Sequence, residues 1–216
     1  MPKNRLQHLA RAGFTLIELL AVIMIISILA YFLLPQIPAA FDRAEVTACR
    51  QNLSTIYQGL QMHDDKHGDL PQYSGARFFT SLISRKVWEN TKQNIDRLTC
   101  PGVKPSALAG LRGREPAEYY SDPEMVDGDC TSYAGRDMEN FPLRKFPGSG
   151  TEALVADDND GGMNHLTTTL CLFADGSVVA YEIVDLQEDG LLGPDENLLP
   201  VGPDSPVEAL RKLSLD

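Results

Sequence analysis

The stretch Phe14–Leu34 reads FTLIELLAVIMIISILAYFLL and contains a single charged residue, Glu18. As an α-helix, these 21 residues would be about 31 Å long, close to the ~30 Å hydrocarbon core of a bilayer. Residues 1–13 carry three basic side chains and no acid, a bias that keeps the amino terminus cytoplasmic while the remainder crosses. The stretch is longer than the apolar core of a secretory signal. The sequence therefore predicts a membrane-spanning anchor.

Glu18 is a carboxylate inside the predicted span, where an ionised side chain is costly and is usually functional. It lies four residues after Phe14, so a chain cut before Phe14 would carry a new amine about one helical turn away. The amine of a neighbouring subunit could then neutralise Glu18 during lateral assembly. Alternatively, a glutamate near the end of the span extends to the membrane interface.

The segment Gly13-Phe14-Thr15-Leu16-Ile17-Glu18, after a short basic leader and before an apolar run, resembles the processing site of type IV prepilins. The resemblance implies cleavage between Gly13 and Phe14 by a prepilin peptidase, followed by N-methylation of Phe14. It also implies that Glu18 serves in filament assembly.

Two prolines follow the apolar run. Pro35 matches, by resemblance, the proline at which pilin helices bend or locally melt. Neither Pro35 nor Pro38 can donate a backbone hydrogen bond, so the helix is weakened where it leaves the membrane. We predict a helix joint at these two residues, with a simple helix stop at Leu34 as the alternative.

The rest of the chain reads as a helix followed by short strands. Apolar residues at three- and four-residue steps predict a second half of the long helix over about 39–66. Strands are predicted near 131–136, 153–156, 167–174 and 178–184. The fold class is thus α+β and pilin-like, with a long amino-terminal helix, transmembrane in its first half, packed on a small antiparallel sheet. The expected divisions are a leader (1–13), a transmembrane helix (14–34), a periplasmic domain (35–184) and an acidic tail (185–216).

Asp175-Gly176 lies between the last two predicted strands and is typical of a two-residue hairpin turn. His165 together with Asp175-Gly176 resembles the H-x9-DG element of bacterial pilin-like proteins, and Asn52-Leu53, Leu70-Pro71 and Cys100-Pro101 resemble the same group. On one extended strand, His165 would lie about 33 Å from Asp175 and about 20 Å from Cys171. No catalytic pair is therefore predicted among them.

The four cysteines would lie in an oxidising compartment after export, where three complete pairings are possible. We predict a disulfide between Cys100 and Cys130, because both lie in a loop-rich region where a cross-link stabilises most. Cys49 and Cys171 fall in apolar patterns and could be small buried hydrophobic residues.

Asp157, Asp158, Asn159 and Asp160 concentrate oxygen ligands in a tight turn and are candidate calcium ligands. The EF-hand pattern is not met, because Thr168 occupies the twelfth place counted from Asp157. A solvated acidic turn is the alternative. No other cofactor is predicted.

The overall composition is acidic, with 19 Lys and Arg against 30 Asp and Glu, and offers no basic face for a nucleic acid. No nucleophile, acid–base pair or complete metal set converges, so an enzyme is not expected.

The resemblance predicts a structural subunit of a type II secretion pseudopilus in the bacterial inner membrane, with its carboxyl-terminal domain periplasmic or extracellular. The implied partners are prepilin peptidase, other pilin-like subunits, an inner-membrane assembly platform and membrane lipid. The alternatives are a type IV pilus or competence filament subunit and a membrane-anchored calcium- or ligand-binding module.

Overall fold

The structure is a computed structural model that describes residues 14–104, 107–115, 118–147 and 151–216. Gly13 and the rest of the predicted leader lie outside the described residues. The chain divides into two compact units between Ala40 and Phe41.

The first unit is built on helix α1, Leu16–Leu33. Within the described parts of the chain, none of its residues is buried. The helical run Leu16–His67 is, among the described residues, the one helix whose length and composition suit a membrane span. A helix that is apolar on every side and unburied in its own chain requires either lipid or other protein chains around it. This finding supports the predicted membrane anchor.

Helix α2, Ile37–His67, follows a single 3-10 turn at Leu34–Gln36. From Phe41 onward, α2 belongs to the second unit and turns one face inward: Cys49, Leu53, Ile56, Gly59, Leu60 and His63 are buried. The helix ends as predicted, because the Gly68 N–H bonds the Asp64 carbonyl at 2.7 Å and Gly68 then leaves the helical conformation with φ +85°.

In its described residues, the second unit adds three short α-helices, several 3-10 turns and a five-stranded sheet. The helices are α3 (Ala76–Ser84), α4 (Lys92–Asp96) and α5 (Ile183–Glu188). The strands are β1 (Tyr133–Arg136), β2 (Ala153–Asp157), β3 (Thr168–Phe173), β4 (Val178–Glu182) and β5 (Leu213–Ser214). They are ordered β4-β3-β2-β1-β5, and every neighbouring pair is antiparallel. The predicted α+β arrangement of a long helix on a small antiparallel sheet is confirmed.

The predicted hairpin joins β3 and β4, but its turn is one residue longer than expected. The Phe173 N–H bonds the Ser177 carbonyl, and the Gly176 N–H bonds the Phe173 carbonyl, both at 2.9 Å. Three residues therefore form the loop, with Gly176 in the left-handed region at φ +84°. Asp175 accepts hydrogen bonds from the Ser177 backbone and hydroxyl. The register pairs Thr168 with Glu182, which leaves His165 outside the β3–β4 ladder.

Two apolar clusters lie on opposite faces of the sheet. The first contains side chains of α2 and α3 with alternate residues of the central strands, including Leu53, Ile56, Phe79, Tyr133, Leu154 and Leu170. The second contains the other alternate residues, among them Ala134, Ala156 and Cys171, together with carboxyl-terminal side chains. Because both faces are covered, every residue of β2 and β3 is buried.

The carboxyl-terminal residues 185–216, set apart above as an acidic tail, are part of the packed domain. Five of their leucines are buried in the second cluster: Leu186, Leu192, Leu199, Leu210 and Leu213. Strand β5 extends the sheet by pairing with β1. Lys212 also contacts the Glu152 carboxylate at 3.0 Å. The acidic residues of this segment thus accompany a buried apolar layer.

Candidate functional site

The start of α1 is closed by a reciprocal capping box between Thr15 and Glu18. The Thr15 hydroxyl oxygen accepts the Glu18 N–H at 3.3 Å, and the Glu18 carboxylate accepts the Thr15 N–H at 2.8 Å and its hydroxyl at 2.7 Å. All three bonds are exposed. The carboxylate predicted to act in assembly is therefore held at the first turn of the helix, next to Phe14.

The surface of α1 is apolar on all sides. Its large hydrophobic side chains are exposed along the whole helix, from Leu16 at 81% to Leu33 at 59%. No residue that the structure describes covers them. In water this surface would be unfavourable, at roughly 1.5–3 kcal/mol for each large aliphatic side chain left unburied. The helix is suited to a bilayer or to packing against similar helices.

The two predicted joint prolines have different effects. Pro35 lies in the 3-10 turn, where the Ile37 N–H bonds the Leu34 carbonyl instead of continuing the α-helical pattern. Pro38 is the second residue of α2, in the first turn, where a missing N–H costs little. The local departure from α-helix is therefore at Pro35, and helix resumes immediately after it.

The four predicted calcium ligands differ in burial, since Asp157 is fully buried and Asp160 is exposed. Asp157 lies at the end of β2, and its carboxylate accepts the N–H of Leu170 on β3 at 2.7 Å. The Asn159 amide donates to Thr169 and to the Leu199 carbonyl. The side chains of Asp157 and Asn159 are thus engaged in contacts within the domain, and calcium binding at the four residues stays a prediction.

The predicted disulfide between Cys100 and Cys130 is wrong, because all four cysteines are free. The Cys130 thiol is turned to the Asp127 carboxylate at 3.2 Å, and burial raises its pKa. The Cys100 thiol lies instead 3.3 Å from His165 Nε2. The spacing of cysteines along the chain could not show these different surroundings.

Cys100 belongs to a set of four buried polar side chains, which we name the thiol–histidine cluster: Cys49, Cys100, Asp157 and His165. One ligand atom from each lies within 4.8 Å of every other. The four residues come from α2, the loop after α4, the end of β2 and the loop before β3. Sequence reasoning tested His165 only against Cys171 and Asp175, and missed this set.

The thiol–histidine cluster is held by several short contacts. The Cys49 thiol lies 3.1 Å from the Tyr133 hydroxyl and donates to Asp157 Oδ1 at 3.3 Å. His165 Nε2 is 3.8 Å from Asp157 Oδ2. On the far side of the ring, His165 Nδ1 lies 3.8 Å from Asp42 Oδ1.

Burial and mutual contact perturb every member of the thiol–histidine cluster. Burial raises the pKa of the Cys49 thiol and of the Asp157 carboxyl. The neighbouring Cys49 and His165 side chains lower the pKa of the Cys100 thiol. Burial alone would lower the pKa of His165, but the contact with Cys100 and the nearby acids raise it.

Comparison with known proteins points to the amino-terminal segment. Residues 9–31 match the family model described as the prokaryotic N-terminal methylation motif. The chain is also similar to the type II secretion system core protein G of Pseudomonas aeruginosa, with 36% identity over 58 residues. That alignment covers 27% of this chain and 41% of the relative, so the match spans less than half of the relative's length. No solved structure matches the chain. The motif match and the apolar helix together support membrane anchoring of the amino-terminal segment.

Proposed function

We propose that this chain is a structural subunit of a type II secretion-type pseudopilus, assembled through α1 to support protein export. The observation that carries the proposal is α1 itself, a helix with no buried residue among the described parts of the chain. Most of α1 lies inside the match to the N-terminal methylation motif at residues 9–31. The similarity to core protein G favours a secretion filament over a type IV pilus or competence filament. The role is structural, without catalysis.

Processing would begin in the inner membrane, with the amino terminus cytoplasmic and the domain from Phe41 onward periplasmic. A prepilin peptidase would cut between Gly13 and Phe14, and Phe14 would be N-methylated. Removal of residues 1–13 takes away three basic residues and no acid, so the side-chain balance changes from −11 to −14. The loss of these charges frees the cytoplasmic end of α1 from its basic anchor.

Assembly would then exchange lipid for neighbouring α1 helices. Lipid tails are as apolar as leucine, so no hydrophobic force favours helix over lipid within the bilayer. Close packing and polar contacts must therefore select the position of each subunit. Glu18 is the one charged side chain on α1. We infer that it sets axial register by pairing with the new amine of an adjacent subunit.

The capping box between Thr15 and Glu18 fixes the position of the Glu18 carboxylate. Glu18 already accepts two hydrogen bonds from Thr15, which keep its carboxylate at the end of the helix where the new amine of its own chain also forms. A carboxylate fixed at this position can meet the amine of a neighbour without a change of backbone. The subunit partners, the assembly platform and the surrounding lipid all belong to this proposal.

Intact-mass analysis of the full chain, extracted from membranes of cells that contain the secretion system, tests the proposal. We expect a mass that lacks residues 1–13 and carries one added methyl group. The Gly13→Ala variant should keep its leader, because the peptidase would no longer accept the site. An unprocessed wild-type chain, or a mature amino terminus in Gly13→Ala, would contradict the proposal.

A further inference from the structure

We propose that the thiol–histidine cluster of Cys49, Cys100, Asp157 and His165 is a structural site for one divalent transition-metal ion, with zinc as the expected occupant. The inference concerns the second unit alone and does not depend on filament formation.

The first argument is the geometry of the four candidate ligands. Zinc binds sulfur at about 2.3 Å and nitrogen or oxygen at about 2.0–2.2 Å, so ligand atoms of a tetrahedral site lie roughly 3.3–3.8 Å apart. Cys49 Sγ is 3.3 Å from Asp157 Oδ1, and Cys100 Sγ is 3.3 Å from His165 Nε2. His165 Nε2 is 3.8 Å from Asp157 Oδ2. These three distances, which involve both Asp157 oxygens, fall in that range, and one ligand atom from each of the four residues lies within 4.8 Å of every other.

The second argument is the unsatisfied side of the histidine ring. His165 Nδ1 is buried and has no hydrogen-bond partner among the described residues. Its near neighbour is Asp42 Oδ1 at 3.8 Å, slightly beyond hydrogen-bond distance. A histidine that binds metal through one nitrogen commonly directs the other N–H to a carboxylate, which fixes the ring. Asp42 is placed for that role.

The third argument is charge. Two thiols and a carboxyl, all fully buried, meet in the cluster with only one imidazole. A cation bound by these groups would compensate buried negative charge that would otherwise cost several kcal/mol. A divalent ion offsets two thiolates. The Leu170 N–H, which donates to Asp157 Oδ2 at 2.7 Å, and the Tyr133 hydroxyl beside Cys49 stabilise the remaining negative charge.

The donor set also indicates which ion and which role. Two soft sulfur ligands with an imidazole favour zinc over calcium or magnesium, which take oxygen ligands. Four protein ligands complete a tetrahedron and leave no open position for substrate, which is typical of a structural zinc site. All four side chains are buried, so a catalytic Cys100–His165 pair would have no access to substrate. The ion would join α2 to the loops that precede β1 and β3.

Metal analysis of the purified full chain in detergent tests the proposal. The protein is expressed with zinc in the medium, and metal content is measured by mass spectrometry for wild type, Cys100→Ser, His165→Gln and the control Cys171→Ser. Cys171 is an equally buried cysteine outside the cluster. We expect close to one zinc per chain for wild type and Cys171→Ser, and at least a tenfold lower content for the two ligand variants, since losing even an outer-shell partner costs about 10- to 100-fold in affinity.

Cobalt substitution of the wild-type chain gives a readout that needs no variant to fold. A tetrahedral cobalt ion with two thiolates should show a thiolate charge-transfer band and intense visible bands. Wild-type protein without stoichiometric metal, with Cys49 and Cys100 recovered as a disulfide or as freely alkylated thiols, would overturn the proposal. Full metal content in both ligand variants would overturn it as well, because the ion would then be bound elsewhere.

Discussion

Replacing Leu210 with alanine tests whether residues 185–216 are a structural layer of the domain. Leu210 is fully buried in the second apolar cluster, on the face of the sheet opposite α2 and α3. Truncating a buried leucine to alanine removes its transfer free energy and leaves a cavity, at a cost of about 2–5 kcal/mol. For a domain of this size, each kcal/mol shifts the melting temperature by about 2–4 °C. A loss of about 3 kcal/mol therefore predicts a decrease of about 6–12 °C.

Trp88 provides the reporter for this experiment. It is the single tryptophan of the chain and packs against the first apolar cluster, on the other face of the sheet. Thermal unfolding of the full chain in detergent, followed by Trp88 fluorescence, therefore detects a change in the carboxyl-terminal layer only if both faces unfold together. Leu198→Ala is the matched control, since Leu198 is 45% exposed and its truncation should change stability by no more than about 0.5 kcal/mol.

The reasoning would be refuted by a Trp88 transition that is the same in Leu210→Ala and in Leu198→Ala. That result would mean that residues 185–216 fold apart from the first cluster. A lower midpoint in Leu210→Ala alone would establish one cooperative domain from α2 to β5.

Three further perturbations follow from the structure. Glu18→Ala should leave the chain in the membrane fraction but reduce its incorporation into filaments, measured by cross-linking between subunits; normal incorporation would contradict a role for the carboxylate. Glu152→Gln should lower stability by about 1 kcal/mol at pH 7, because Glu152 contacts Arg136 at 2.8 Å and Lys212 at 3.0 Å. Partial burial alone would raise the pKa of Glu152, but these two cations lower it. The contribution is thus complete above the unfolded pKa of about 4.3 and is lost as the pH falls through the folded value, so wild type and variant should converge in acid; a gap in melting temperature that stays constant with pH would exclude the ion pairs as its cause. Gly176→Ala should cost more in thermal unfolding than the roughly 1–2 kcal/mol expected for Gly190→Ala, because both residues have a positive φ (+84° and +71°) but a Cβ at Gly176 would also lie 2.8 Å from the Tyr57 ring; equal losses would show that Tyr57 does not resist the added Cβ.

The sequence was informative where a single local pattern determines structure. The unbroken apolar run from Phe14 predicts α1, and the stripe beyond Pro38 predicts α2 with its end near Gly68. The four predicted strands all occur, because alternating β-branched and apolar residues between turn signals form strands in most contexts. The position of the hairpin turn was predicted correctly, but the predicted turn was one residue shorter than the turn in the structure. Asp-Gly fits either a two-residue turn or the last two positions of a three-residue turn, and the pairing of Phe173 with Ser177 decides between them.

The features that sequence reasoning missed depend on contacts between distant segments. The buried leucines of residues 185–216 are spaced irregularly among acids and prolines, so no period marks them as a core layer. The members of the thiol–histidine cluster are separated by as many as 116 positions, from Cys49 to His165. No short motif joins them, and the tertiary fold alone brings them together. Asp157 was interpreted as part of an acidic turn because its neighbours in the sequence are acidic. The direction of its carboxylate is set by the pairing of β2 with β1, which the local sequence does not show.

The uniform surface of α1 has a consequence for how such a filament would be operated. Lipid tails and the α1 helices of neighbouring subunits are similarly apolar surroundings for α1. The transfer of α1 from lipid to a bundle of such helices therefore changes the free energy little. The addition of a subunit to the filament would then release little free energy, and its removal would require little. A small amount of mechanical work could therefore move subunits in either direction, from the membrane into the filament or from the filament back into the membrane.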